Sequence, residues 1–128
     1  MNLSKGEAGL SEQVEVINSL ACMYRSNGYT GRALILLLVA QELDSGDSGV
    51  QLNLAHVLFL NGKAREALAV LERFLVAQAG VLADDDAVHL LHARILWSLG
   101  RKAPARRIFH AFARARRTAA AMPVALAS

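Results

Sequence analysis

The stretch Val50–Gln78, VQLNLAHVLFLNGKAREALAVLERFLVAQ, reads as two helices of opposed direction joined at Asn61-Gly62, and the chain on either side repeats its pattern. With Gly28, Gly62 and Gly100 superimposed, the residues seven before them are Ala21, Ala55 and Ala93, and the residues five after them are Ala33, Ala67 and Ala105. All six are alanine. Four before the glycine stand Tyr24, Leu58 and Leu96; nine after it stand Leu37, Leu71 and Phe109, and twelve after it Ala40, Phe74 and Phe112. Alanine at one site on each helix lets the two backbones approach closely, large apolar residues around it fill the remaining volume, and glycine supplies the tight turn. The glycines are 34 and then 38 residues apart, the second interval holding a longer connection around Gly80 to Asp86.

An internal period of this size marks a stack of supersecondary units, and helical pairs of 34 residues are of the tetratricopeptide kind. The expected fold is therefore all-α, a tetratricopeptide-like right-handed solenoid of three helical hairpins. The pairs fall at about 12–45, 46–79 and 84–117, inside a single domain spanning 12–121. Residues 1–11, with Gly6 and Gly9 and little periodicity, read as a flexible lead-in, and residues 122–128, around Pro123, as a frayed tail. Ser11, followed by Glu12 and Gln13, is expected to cap a first helix over Glu12–Ser26. Its partner is placed at Thr30–Leu43, the second pair at Val50–Leu60 and Ala64–Gln78, and the third at Ala87–Leu99 and Ala103–Arg117. The connection DSGDSG, Asp44 to Gly49, is turn chemistry. The aspartates Asp84 to Asp86 stand at a helix start, where negative charge meets the positive end of the dipole.

At 128 residues the chain has the size of one domain. It is 54% apolar and 5% aromatic, and a three-unit solenoid has little interior, so surplus apolar residues must face something. The partner helix of the first pair, with LILLLVA at 34–40, is apolar nearly all round and has to be covered on both sides. One side belongs to its hairpin partner; the other is left to the next unit, a self-association surface or a bound protein. The longest unbroken apolar run, Ala33 to Ala40, has eight residues, against the roughly 20 needed to cross a bilayer. No membrane span and no secretory signal is read, and a cytoplasmic location is the expectation. A single cysteine, Cys22, excludes an internal disulfide framework and a cysteine-based zinc cluster.

Charge separates along the chain. Up to Asp86 there are eleven acidic and six basic residues; beyond it there are eight basic residues and no acidic one. The last helix sets Ala105, Ile108, Phe109 and Phe112 on one side and Arg106, Arg107, His110, Arg114 and Arg117 on another. Such a basic face could meet an acidic partner, an anionic membrane or nucleic acid, or simply be solvated. The absence of aromatic residues interleaved with the charges disfavours nucleic acid.

In stacked helical hairpins the first helix of each pair lines the concave face. Its free side lies three, six and ten residues before the turn glycine. These positions hold Arg25, Phe59 and Trp97, then Cys22, His56 and Arg94, then Asn18, Leu52 and Leu90. Leu52, Phe59, Leu90 and Trp97 would form an apolar lining flanked by polar groups, which is what an amphipathic helix or extended segment of a partner needs. Trp97 is the expected anchor. Burial of some of these residues by the tail or neighbouring helices is the competing reading.

Catalysis and metal binding find no constellation. Asp85, His89 and His92 share one helical face, but His92 holds the core position of Leu20 and Leu54, and the glutamate of a metalloprotease helix is missing. Cys22 has no neighbouring base and reads as a small buried hydrophobe. There is no phosphate-cradling glycine loop and no serine elbow. No enzyme activity, cofactor or metal is expected.

The segments YRSNGYTGRALILLL, FLNGKAREALAVLERFL and WSLGRKAPARRIFHAF look like three tetratricopeptide repeats covering about Glu12 to Arg117. A chain this short and nearly all repeat resembles the small cytoplasmic chaperones of bacterial type III secretion systems, most of all the YscY type, which binds the small exported component YscX. It is also similar to the YscG type, which helps hold needle subunits soluble. The resemblance implies a chaperone that shields a small secreted protein, YscX-like or a needle subunit with a co-chaperone, with a possible homodimer in the absence of cargo. The alternative is a general tetratricopeptide adaptor or regulator that uses the basic last helix. The sequence departs from the repeat pattern in several places. The usual aromatic near the start of each unit is Ile17, Gln51 or His89, the closing proline is Ser45 or Ala79, and Phe74 and Phe112 stand where a small residue is usual.

Overall fold

Each of the three glycine turns ends a helix by the same hydrogen bonds. Gly28, Gly62 and Gly100 have φ of 85°, 78° and 78°, the left-handed region that a side chain resists. After each glycine the next amide reaches back five residues, Tyr29 N to Tyr24 O at 2.8 Å, Lys63 N to Leu58 O at 2.8 Å and Arg101 N to Leu96 O at 2.9 Å. The glycine amide itself donates to the carbonyl three residues back, at 3.0–3.1 Å in all three turns. This is the Schellman arrangement, which satisfies carbonyls that a helix end leaves without partners. A Cβ at any of the three would meet nothing within 4 Å, so the backbone angle alone calls for glycine.

The computed structural model describes residues 2–78 and 85–121, and the side chains of 9–78 and 85–120. Among them there are six helices and no strand: α1 (Asn2–Ser26), α2 (Thr30–Leu43), α3 (Ser48–Leu60), α4 (Ala64–Ala77), α5 (Asp86–Ser98) and α6 (Lys102–Ala121). The fold is all-α and tetratricopeptide-like, each repeat a helix, a glycine turn and a returning helix. The tail expected to fray over 122–128, and the connection 79–84 with Asp84, lie outside the described residues.

The chain divides into two compact units, Met1–Ala79 and Gly80–Ser128, where the sequence leads to an expectation of one domain over 12–121. In the first unit α1 packs on α2, α3 on both of these, and α4 on α3; in the second α5 packs on α6. All six repeat alanines, Ala21, Ala33, Ala55, Ala67, Ala93 and Ala105, are fully buried. Around them the first unit buries Val14, Leu37, Val50, Leu54, Val57, Leu71 and Phe74, and the second buries Val88, Leu91, Ile95 and Leu96. Each such side chain contributes about 1.5–3 kcal/mol relative to exposure.

Two aspartates start helices. Asp47 Oδ1 accepts from Val50 N at 2.9 Å ahead of α3, and Asp85 Oδ1 accepts from Ala87 N and Val88 N ahead of α5. Each satisfies amides that the helix start leaves free. Asp85 is thereby a capping residue, as expected of the aspartates before the third pair.

One sequence expectation is corrected. The first helix begins at Asn2 and not at a Ser11 cap, so residues 2–11 of the expected lead-in are helical and Ser11 lies inside α1. Glycine in a helix costs only about 1 kcal/mol, no proline intervenes, and a helix already anchored by packing gains one hydrogen bond per residue as it extends. In α2, which packs on α1 and α3, Ala33, Leu37 and Ala40 are buried, while Ile35, Leu38 and Val39 are exposed.

Candidate partner-binding surface

The side of α1 that faces α3 carries Asn18, Cys22 and Arg25, spaced so that all three lie along one edge of the helix. They converge on one residue that the periodicity did not single out. Asn53 is buried at 4% exposure, in the middle of the apolar α3. Its Oδ1 accepts a hydrogen bond from Arg25 Nη1 at 2.7 Å, and its Nδ2 donates to Asn18 Oδ1 at 3.0 Å and to the Asn18 carbonyl at 3.4 Å. Cys22 Sγ also accepts from Nδ2, at 3.2 Å. A buried amide without partners would cost about 1–3 kcal/mol, and this arrangement occupies both its ends. Asn18, Cys22 and Arg25 are thus half-buried members of a polar clasp between α1 and α3. The clasp sits close to the α3 start, where a Cβ on Gly49 would stand 3.2 Å from Asn18 Nδ2.

On α3 itself, Leu52, His56 and Phe59 are half-buried, on the edge of the helix that follows on from the clasp. They offer an apolar and aromatic strip beside polar groups. The signal for Asn53 was present in the sequence as the lone amide within LNLAHVLFL, in phase with the core.

In the second unit Leu90 is half-buried and Arg94 exposed on α5, and Trp97 keeps 44% of its surface exposed. Lys102 Nζ lies 5.3 Å and the Arg106 guanidinium carbon 5.9 Å from the indole centroid, within cation–π range. Trp97 is therefore held between α5 and the start of α6 with one part of its ring open. Arg107, Arg114 and Arg117 are exposed along α6, and Arg116 lies over Phe112 at 5.6 Å. Among the described residues no group of His, Cys, Asp and Glu side chains is arranged to hold a metal ion, and no helix is long and apolar enough to cross a membrane.

No protein-family profile matches the chain, and no curated protein matches it in sequence. Among solved structures it is similar to the tetratricopeptide-repeat domain of Arabidopsis FLU, with a TM-score of 0.72 and 16% identity, over 85% of this chain and 98% of that one. At that identity the likeness establishes the fold, an all-α, tetratricopeptide-like chain.

Proposed function

We propose that the chain is a protein-binding adaptor of the tetratricopeptide kind and, on its resemblance to the YscY and YscG types, a cytoplasmic type III secretion chaperone for a small secreted protein. The observation that carries the reading is a set of part-exposed apolar residues on the first helix of a repeat in each unit. Leu52 and Phe59 lie near the Asn53 clasp in one unit, and Leu90 and Trp97 lie on the same helix as Arg94 in the other. A partner's amphipathic helix or extended segment gains most from a few aromatic anchors of this sort. The reading involves no catalytic step, metal or cofactor. The test is the double variant Phe59→Ala, Trp97→Ala, assayed against the partner that co-purifies with the wild-type chain. Affinity drops at least a hundredfold while far-UV circular dichroism is unchanged; retained affinity contradicts the assignment.

The exposed arginines of α6 support one alternative, an adaptor that meets an acidic partner or nucleic acid through Arg106, Arg107, Arg114 and Arg117. There the change of Arg107 and Arg114 to Glu would be decisive, and binding would weaken steeply with salt.

A further inference from the structure

Trp97, the single tryptophan of the chain, is open to 44% near the end of α5, and cations gather on it. Lys102 and Arg106 lie over its ring at 5.3 Å and 5.9 Å, and Arg101 stands in the turn between α5 and α6. All three are exposed. From Ala87 to Ser128 the sequence has no acidic residue. The described carboxylates of this unit, Asp85 and Asp86, stand at the opposite end of α5, about 16 Å along the helix, and Asp85 is taken up in capping it.

Helix physics would put the opposite charge beside Trp97. The first turn of a helix favours acidic side chains, because the aligned peptide dipoles leave that end positive, and like charges at i and i+4 repel one another. Helices α4 and α5 follow the rule, with Glu66 and Asp86 in their first turns; α6 has no acidic residue in its first turn and begins among Arg101, Lys102 and Arg106. The repeat pattern does not call for these cations either. Where the third repeat carries Lys102 and Arg106, the first has Thr30 and Leu34 and the second Ala64 and Leu68. Positive charge is thus collected on an open aromatic ring at a place where the backbone and the charges themselves oppose it. An anion from outside would relieve both.

We propose that Trp97, Lys102 and Arg106 form the docking site for an acidic segment of a partner protein, one in which an apolar side chain is flanked by carboxylates. The inference rests on the reading of the chain as a protein-binding adaptor and names the chemistry that the partner brings to the second unit. The apolar group covers the open part of the indole, and the carboxylates pair with the cations beside it. Excluding water from the ring strengthens those pairs. Lys102 and Arg106 are about 6 Å apart along α6, the separation of carboxylates at i and i+4 of a helix or at i and i+2 of an extended strand. Tryptophan and arginine are also the side chains in which binding hot spots are richest. Nucleic acid fits less well, since a base stacks on a free aromatic face and two cations already stand over this one.

The test is selection from a random dodecapeptide library against the immobilised full chain, followed by titration of tryptophan-free selected peptides. Binding is read from the fluorescence of Trp97, which no other tryptophan of the chain obscures. The expected peptides are rich in Asp and Glu around a Leu, Ile or Phe, and they bind more weakly as salt is added. Lys102→Glu with Arg106→Glu suits the start of a helix, so far-UV circular dichroism is unchanged. This variant weakens the acidic peptides by about tenfold and turns the selection towards Lys- and Arg-rich sequences. Peptides without an acidic bias, a library that yields no ligand sensed by Trp97, or a double variant that still prefers acidic peptides overturns the proposal. So does an oligothymidylate that binds more tightly than the peptides and displaces them. Peptide binding that needs Trp97 but neither cation overturns this inference and leaves the partner strip standing. Acidic peptides bound at Trp97 by a chain that carries no protein from its native host support the site and count against the chaperone reading.

Discussion

Helices α1 and α3 carry the same stripe in the same phase, yet Val50, Leu54 and Val57 are buried while Val16, Leu20 and Met23 are exposed to 66%, 40% and 63%. The residue types barely differ: valine and leucine at two positions, methionine against valine at the third. What differs is that α3 has a hairpin before it. In a repeat array each unit presents an apolar face that only its neighbour can cover. On α6, Lys102 and Arg106 stand where α2 has Thr30 and Leu34.

The largest break in this comparison comes from removing the same side chain on both sides of it. Leu54→Ala leaves a hole beside a fully packed helix and costs about 2–5 kcal/mol in urea denaturation. Leu20→Ala, measured in dilute protein, costs well under about 1 kcal/mol, since its side chain is already partly in water. Equal losses would mean that the stripe of α1 is covered in the monomer.

Next in size is the clasp. Asn53→Leu strands Arg25 Nη1 and Asn18 Oδ1 in a half-buried site and destabilises the first unit by about 1–3 kcal/mol. Ser19→Leu, at the equivalent exposed position of α1, is close to neutral. The glycine turns are equivalent in geometry, so Gly28→Ala and Gly62→Ala cost a similar amount, about 1–2 kcal/mol each. The smallest effect has the opposite sign. Gly31 lies in the first turn of α2 without a positive φ, and a Cβ there meets nothing within 4 Å, so Gly31→Ala raises stability by up to about 1 kcal/mol.

These residues also mark how far the sequence could be read. The glycines and the six alanines were legible because each answers a strict local demand, a left-handed backbone angle or a close approach of two helices, and each recurs at the same offset. The boundary of α2 at Thr30–Leu43 followed from them. The start of α1 was not legible, because Gly6 and Gly9 resemble punctuation, while their cost in a helix is smaller than the gain from extending one already anchored.

The candidate site divides in the same way. Asn18, Cys22 and Arg25 are expected from their spacing on the free, partner-facing side of α1, and the structure sets them against Asn53 of α3. Their common contact, Asn53, belongs to a helix 35 residues away from Asn18, and spacing within one helix cannot show a partner on another. Trp97 was read as an anchor from its exposed phase; the cations that hold its ring come from the next helix, beyond a turn.

The most direct test of the account as a whole is purification of the tagged chain from its native host, wild type beside Phe59→Ala, Trp97→Ala, with mass spectrometry and light scattering of what elutes. The account predicts a small helical protein bound at fixed stoichiometry to the wild type and lost from the double variant. A wild-type chain that elutes with no protein partner, or with nucleic acid in its place, would contradict it.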